Sequence, residues 1–357
     1  MIILTNEDIE PLLNMSDCIA AIEQAFRDFG HGQAVDVPRQ DAIVPCPRAG
    51  NGKGGSAIHD LKTMSGSWPA AGIAALRLNS DIVHWPIINN SPRRVKLAIS
   101  EPGGRYNGAV LLFSTETGQL LCMLNDGIMQ KSRVAASSAV AAKYLAPAKP
   151  RALGLLGTGL QAGGQLEAMC IVRRFEEVKV YSPTPENRQA FADHFRSRLQ
   201  INIRPVASAA EAANGVDVLV TATNSLRPTI APAWVKPGMH ISSIRRSELP
   251  VEVFAKVDRL VVNARVGGAS YLAQGAPDVP EDSSSGVPHI ERVPELKDLA
   301  AGRTPGRQSA QEITCFHNYQ GLGLQFAAVG SIVYREAVKR GIGLVLDDRY
   351  FTQSVHP

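Results

Sequence analysis

The stretch "RALGLLGTGLQAGGQ", residues 151–165, decides how the rest of the chain is read. Its first part, Ala152-Leu-Gly-Leu-Leu156, is an apolar run of the length of a fully buried strand. Gly157-Thr-Gly-Leu-Gln-Ala162 follows, a G-x-G-x-x-A pattern, and the residues from Gln165 to Phe175 read as a helix. Glycines at such a corner permit a tight turn and let the backbone approach a pyrophosphate facing the helix N-terminus. Such triplets also arise by chance in glycine-rich chains, so the surroundings must supply a strand before and a helix after. They do. Strand candidates 152–156, 177–181, 217–221, 239–244 and 259–263 alternate with helical segments 161–174, 185–199 and 208–214. That alternation is the signature of a parallel sheet wound with helices. The fold class expected is α/β, with a Rossmann-type dinucleotide-binding domain over 131–319.

Upstream the texture differs. Thr5-Asn-Glu-Asp8 is a capping-box pattern opening a short helix, and Ser16 is the expected cap of a second helix that stops at Gly30. Short β-rich runs then dominate: 42–44, 72–78, 109–113 and 119–124, with Thr115-Glu-Thr-Gly118 as a hairpin turn and 49–55 as a mobile loop. Asp126 to Leu145 reads as an alanine-rich helix stopped by Pro147 and Pro150. A last apolar helix, Gly321 to Lys339, is too long for a Rossmann edge and is expected to pack back on the N-terminal part. A discontinuous α+β domain, 1–130 and 320–357, therefore serves substrate binding and dimerisation. Its many strands and few helices leave an apolar face for a second copy, which predicts a homodimer.

Composition excludes several classes. A hydrophobic share of 45% and a charged share of 20% are those of an ordinary globular protein. Net charge is only +4 and no Lys/Arg run is long, so no nucleic-acid partner is expected. No stretch reaches about 18 apolar residues, and the N-terminus lacks the pattern of a secretion signal, so no membrane partner is expected either. Five widely spaced cysteines suit reduced thiols and a cytoplasmic location. The eight histidines form no His-x-x-x-His or His-Glu pair, and no metal site is expected.

The cofactor-binding residues follow from the corner: Gly157 and Gly159 for close approach, Leu160 at the helix start, Thr158 and Gln161 for added hydrogen bonds. After the second strand the chain reads Tyr181-Ser-Pro-Thr-Pro-Glu-Asn-Arg188, without the acid that NAD-specific sites place on the ribose 2′-hydroxyl. Ser182 and Thr184 can donate to a 2′-phosphate and Arg188 can neutralise it. NADP(H) is favoured, with NAD(H) the alternative.

Three ordered motifs make the chain resemble the ornithine cyclodeaminase/mu-crystallin family over most of its length. They are Leu124-Asn-Asp-Gly-Ile-Met-Gln-Lys-Ser-Arg133-Val-Ala-Ala, the Gly157–Ala162 turn, and Ala301-Gly-Arg-Thr-Pro-Gly-Arg307 followed by Glu312-Ile-Thr-Cys-Phe316. The resemblance implies an NAD(P)-dependent enzyme acting on amino acids or on cyclic and acyclic imines, usually a homodimer. It places Thr221-Ala222-Thr223 under the nicotinamide, and it implies a small imino or amino acid substrate carrying an α-carboxylate. A planar guanidinium grips a carboxylate by two parallel hydrogen bonds, and Arg39, Arg77 and Arg133 are the candidates by motif position.

Two departures matter. Where the family carries a lysine near the substrate, this chain has Arg77, which does not release a proton. Arg77 is then an electrostatic clamp, and the proton source is assigned to Asp81, four residues on along the same strand face, with Lys62 or a water as alternatives. The second departure is the loop aspartate of the cyclodeaminases, missing from Ile241-Ser-Ser-Ile-Arg-Arg-Ser-Glu-Leu249. The leading expectation is an imine reductase or amino-acid dehydrogenase. The alternatives are an NAD-dependent cyclodeaminase and a non-catalytic, nucleotide-bound ligand-binding protein.

Overall fold

A computed structural model of the chain describes residues 1–46, 57–88, 91–97, 106–276 and 286–355. The loop expected at 49–55 lies outside them. Two sheets organise the molecule. The first contains seven parallel strands in the order Asn202–Pro205, Glu177–Tyr181, Ala152–Leu156, Val218–Thr221, His240–Ser243, Thr314–His317, Arg259–Val262. Ala152–Leu156 is an interior strand and completely buried, as its unbroken apolar sequence requires. The order is that of a doubly wound dinucleotide fold, with Thr314–His317 inserted between the last two strands. That insertion and the edge strand Asn202–Pro205 were not foreseen. Both are four residues long and carry no hydrophobic period of their own.

The motif Ala301–Arg307 with Glu312–Phe316 is a fastener for this sheet. Arg307 donates to the carbonyls of Leu145 and Glu312 and to the Thr314 hydroxyl, tying the end of helix Gly127–Leu145 to strand Thr314–His317.

The second sheet runs Ala269–Leu272, Val35–Pro45, Ile58–Trp68, Ile73–His84, Asn107–Ser114, Leu120–Asn125, Ile2–Leu4, Leu344–Val345, with Val95–Leu97 paired beside Ile73–His84. It is mostly antiparallel. Ala269–Leu272 crosses over from the Rossmann part to pair in parallel with Val35–Pro45. Thr5 and Asp8 form the expected capping box. The second helix, Met15–Gly30, is capped by Asn14 rather than Ser16: the Asn14 side chain accepts the Ser16 N–H.

The last helix, Gly323–Arg340, lies against one face of this sheet and shares a core with Trp68, Leu112 and helix Met15–Gly30. The approach is close because Gly323 faces the Ser65 backbone, where a Cβ would overlap main-chain atoms. The opposite face keeps Leu61, Val44 and Met123 exposed, with Leu76, Leu78, Ile82, Leu111 and Phe113 half-buried. Among the described residues, no helix is long and apolar enough to cross a membrane.

Candidate functional site

Between the two sheets lies a cavity of about 580 Å³, lined by the carboxyl-end loops of the Rossmann strands on one side and the inner face of the second sheet on the other. The nucleotide corner opens onto it. Gly157 has φ +117, and a Cβ there would collide with the Ala222 carbonyl oxygen, so only glycine fits this turn. Nothing lies within 4 Å of a Cβ built on Gly159, which leaves open space in front of helix Leu160–Val172. That is the room a pyrophosphate needs against the first-turn N–H groups. Gln161 lines the cavity, and its Oε1 has no partner among the described residues. The residues present fit a nicotinamide dinucleotide.

Ala222 and Thr223 line the cavity as well, but Thr221 is fully buried and gives its hydroxyl to Glu248. Glu248 also accepts the backbone N–H groups of Thr223, Ile244 and Arg245. Burial pushes its carboxyl up despite these donors. Glu248 thus ties together the ends of two neighbouring strands beneath the cavity. It was not recognised from sequence, because a glutamate in a loop carries no sign of being buried.

At the far end of strand Glu177–Tyr181, Arg188 folds back to donate to the Ser182 carbonyl at 2.9 Å and stacks over the Tyr181 ring. The Ser182 hydroxyl donates to the Thr184 carbonyl. The three residues meet at one point, with no carboxylate on Ser182, Pro183 or Thr184.

The inner face of the second sheet presents its side chains in rows set by register. Met64 and Arg77 form one row, Asp41, Lys62 and Asn79 the next, Ile43, Asp60 and Asp81 the third, and Pro45, Ile58 and Val83 the last. Arg39, beside the bulge in Val35–Pro45, is paired with Asp41. Arg77 is held through Nε and Nη2 on the Asp126 carboxylate at 2.9 and 2.6 Å. Asp126 occupies the N-cap of helix Gly127–Leu145 without capping it, since its carboxylate is turned to Arg77.

Arg133 comes from the second turn of that helix. Its Nε donates to Gln130 at 3.1 Å and its Nη1 to Gln325 at 2.7 Å. Both guanidinium groups lie over the Phe326 ring, 5.4 Å from its centroid for Arg77 and 5.3 Å for Arg133. Arg133 is only 4% exposed and meets no carboxylate within ion-pair distance among the described residues. Burial, then repulsion from Arg77, depress it to about 9. A buried cation without a counter-ion is a strong electrostatic call for a ligand anion.

Asp81 sits mid-strand, its Oδ2 accepting from Lys62 at 3.3 Å and from Lys96 at 2.7 Å. Burial would push its carboxyl up, but Lys62, Lys96 and Arg94 outweigh that and hold it below the usual carboxylate range. The structure therefore brings Arg39, Arg77, Asp81 and Arg133 into one cavity with Gln161, Ala222 and Thr223, while Ser182, Thr184 and Arg188 stand together at the other end of the nucleotide corner.

Sequence reasoning missed Asp60 because strand Ile58–Trp68 was not recognised, and Asp41 and Asn79 because they lie just outside the apolar runs 42–44 and 72–78 of strands Val35–Pro45 and Ile73–His84. The inward residues of Ile58–Trp68 include Asp60 and Lys62, which break the apolar alternation by which a half-buried strand is read. The surviving signal was the period itself, with Asp60, Lys62 and Met64 on one face.

A family model described as ornithine cyclodeaminase/mu-crystallin family matches residues 103–341. The alanine dehydrogenase of Archaeoglobus fulgidus is 31% identical over 355 residues, covering 96% of this chain and 97% of that protein. Among solved structures, Thermococcus litoralis Δ1-pyrroline-2-carboxylate reductase in complex with NADH and L-proline superposes with TM-score 0.77 at 27% identity, covering 97% of this chain and all of that one. An archaeal alanine dehydrogenase dimer with bound NAD gives TM-score 0.74 at 27% identity, covering 97% and 99%.

Proposed function

The chain belongs to the ornithine cyclodeaminase/mu-crystallin family, and on that premise we propose that it is an NAD(P)H-dependent oxidoreductase of C=N and CH–NH bonds. It reduces a small α-imino acid or cyclic imine, or runs the reverse amino-acid dehydrogenation. The observation that carries this reading is Arg133, a buried guanidinium with no carboxylate at ion-pair distance among the described residues, set beside Arg77 and facing the cavity that the nucleotide corner opens onto. Arg133 and Arg77 hold the substrate carboxylate, with Arg39 closing the clamp from the neighbouring strand. When bound, the dinucleotide supplies the hydride. The chain's own residues orient the carbon that receives it: the arginines fix the carboxylate, and Thr223 and the Ile244–Ser247 segment wall the site.

The cofactor is NADP(H) in preference to NAD(H), bound through Gly157, Thr158, Gly159, Leu160 and Gln161 at the pyrophosphate. Ser182, Thr184 and Arg188 take the 2′-phosphate. The nucleotide-binding domain is taken as 131–319 and the substrate-binding and dimerisation domain as 1–130 and 320–357, with Ala269–Leu272 as a strap from the first onto the sheet of the second. The functional unit is a homodimer joined through the half-open apolar face of the second sheet. The only acid of 241–249, Glu248, is turned to the strand ends rather than to the cavity, which argues against cyclodeaminase chemistry.

The test is a panel of keto acids with amines, and of cyclic imines, followed through nicotinamide absorbance with each cofactor. Oxidation of NADPH with a carboxylated imine is expected. Tight cofactor binding without turnover on any imino acid would show a ligand-binding protein instead, and ammonia release without net cofactor change would show a cyclodeaminase.

A further inference from the structure

Lys62 is the one inward side chain of its row that carries a transferable proton. It is buried at the cavity wall, and its ammonium pairs with Asp60 and, at 3.3 Å, with Asp81. Register places Lys62 opposite Asn79 and Met64 opposite Arg77. Lys62 and Arg77 are therefore diagonal neighbours on one face, with Cα atoms roughly 7–8 Å apart. In an α-imino acid the nitrogen is bonded to the carbon that carries the carboxylate. A carboxylate held by Arg77 and Arg133 thus brings the nitrogen within reach of the adjacent row.

That row and the next are polar beyond what packing needs. Asn79 Oδ1 in the Lys62 row, and Asp60 Oδ1 and Asp81 Oδ1 in the row beyond it, are buried and have no hydrogen-bond partner among the described residues. Buried acceptors left unmade are costly, and Asn79 Oδ1 is the one placed to accept an N–H of a ligand in the Lys62 row.

Resting on the imine-reductase reading, we propose that Lys62 donates the proton to the substrate nitrogen and that Asp81 links Lys62 to Lys96, through which it is recharged from solvent. The link is on the page. Asp81 Oδ2 contacts both amines, and Lys96, at 2.7 Å, has a side chain 36% exposed. Burial and the nearby Arg94 and Arg39 push Lys62 down, toward release of a proton, while Asp60 and Asp81 oppose them. Asp41 faces it across the sheet, and Arg77 and Arg133 line the same cavity. Asp81 itself, held ionised between two ammonium groups, has no proton of its own to give. Arg77 gives none.

The step balances. The imine carbon takes the hydride and the C=N π pair moves onto nitrogen. That pair forms a new N–H bond with the Lys62 proton as the Nζ–H bond breaks. Lys62, left neutral, regains a proton from Lys96 by way of Asp81, and Lys96 takes one from water.

The test uses the full-length protein with Δ1-pyrroline-2-carboxylate as substrate and pyrrole-2-carboxylate, which cannot be reduced, as binding probe. Lys62→Met and Lys62→Arg should each lower kcat by about 10²–10⁴-fold, the usual worth of a positioned acid. Both should bind the probe within a few-fold of the wild type. Small primary amines should partly restore Lys62→Ala, and the fall of wild-type kcat at rising pH should vanish in Lys62→Arg. Lys96→Met should lose rate in dilute buffer and regain it as buffer concentration rises. Full kcat in Lys62→Arg overturns the proposal, as does loss of probe binding in Lys62→Met together with no amine rescue. A wild type that binds the probe but reduces no imine would refute the function reading, and the proposal with it.

Discussion

Replacing Arg133 by lysine keeps the charge and removes the fork. In the structure the guanidinium is fixed on three sides, by Gln130 at Nε, by Gln325 at Nη1 and by the Phe326 ring beneath it, so its remaining edge has one orientation. Nη2 lies beside Gly321, where a Cβ would come to 3.2 Å, and a bulkier residue there would crowd it. A lysine ammonium can still reach one of the two glutamine oxygens but cannot present two parallel N–H bonds to a carboxylate. The loss is that of one charge-assisted hydrogen bond plus misorientation of the reacting carbon. It corresponds to about 1.4–4 kcal/mol, or roughly ten- to a thousandfold in kcat/KM.

The assay compares Δ1-pyrroline-2-carboxylate with 1-pyrroline, its analogue without the carboxylate, in wild type and Arg133→Lys. The wild type should strongly prefer the carboxylated imine. The variant should lose on that substrate alone, so that the preference shrinks, with the melting temperature nearly unchanged. An identical preference in both proteins would show that Arg133 does not hold the carboxylate, and the substrate assignment would lose its main support.

Arg188→Ala should weaken NADPH by about 1–3 kcal/mol and leave NADH almost unchanged, measured by cofactor titration; equal losses for both would end the 2′-phosphate assignment, and Ser182→Asp should shift preference toward NADH. Sedimentation at micromolar concentration should give a dimer, and Leu76→Asp, on the half-open face, should give monomers; a wild type that sediments as a monomer would refute the interface. Asp36 accepts the Leu324 N–H at 2.9 Å at the start of the last helix, and burial raises its carboxyl to about 7. Because the folded value lies above the unfolded one of about 3.9, the folded state holds the proton longer, so this group's contribution falls as pH rises from about 4 to about 7. Asp36→Asn keeps an acceptor oxygen for the Leu324 N–H and should flatten the pH dependence, gaining stability relative to the wild type as pH rises from about 4 to about 7; parallel melting curves for the two proteins across that range would contradict it.

The sequence by itself determined the nucleotide half of this protein. An unbroken apolar strand, a turn that only glycine at 157 can make and a helix start are local features, each dictated by neighbouring residues, and the structure keeps them where the pattern put them. Arg77 and Asp81 on one strand face followed from the same kind of logic, because side chains alternate along a strand. What the sequence could not supply was partnership across distance. Asp126 meets Arg77 from 49 positions away and Gln325 meets Arg133 from 192. Only those meetings decide that one guanidinium is neutralised and the other left calling for an anion.

Strand Ile58–Trp68 stayed hidden for a related reason. Hydrophobic periodicity finds strands whose inner face enters a core, whereas this one turns Asp60 and Lys62 toward a cavity between the two sheets. Charges inside a sheet are tolerated only where neighbouring strands and a ligand complete them. That completion is a property of the register of Ile58–Trp68 against Val35–Pro45 and Ile73–His84, and it exists nowhere in the chain until those strands are paired.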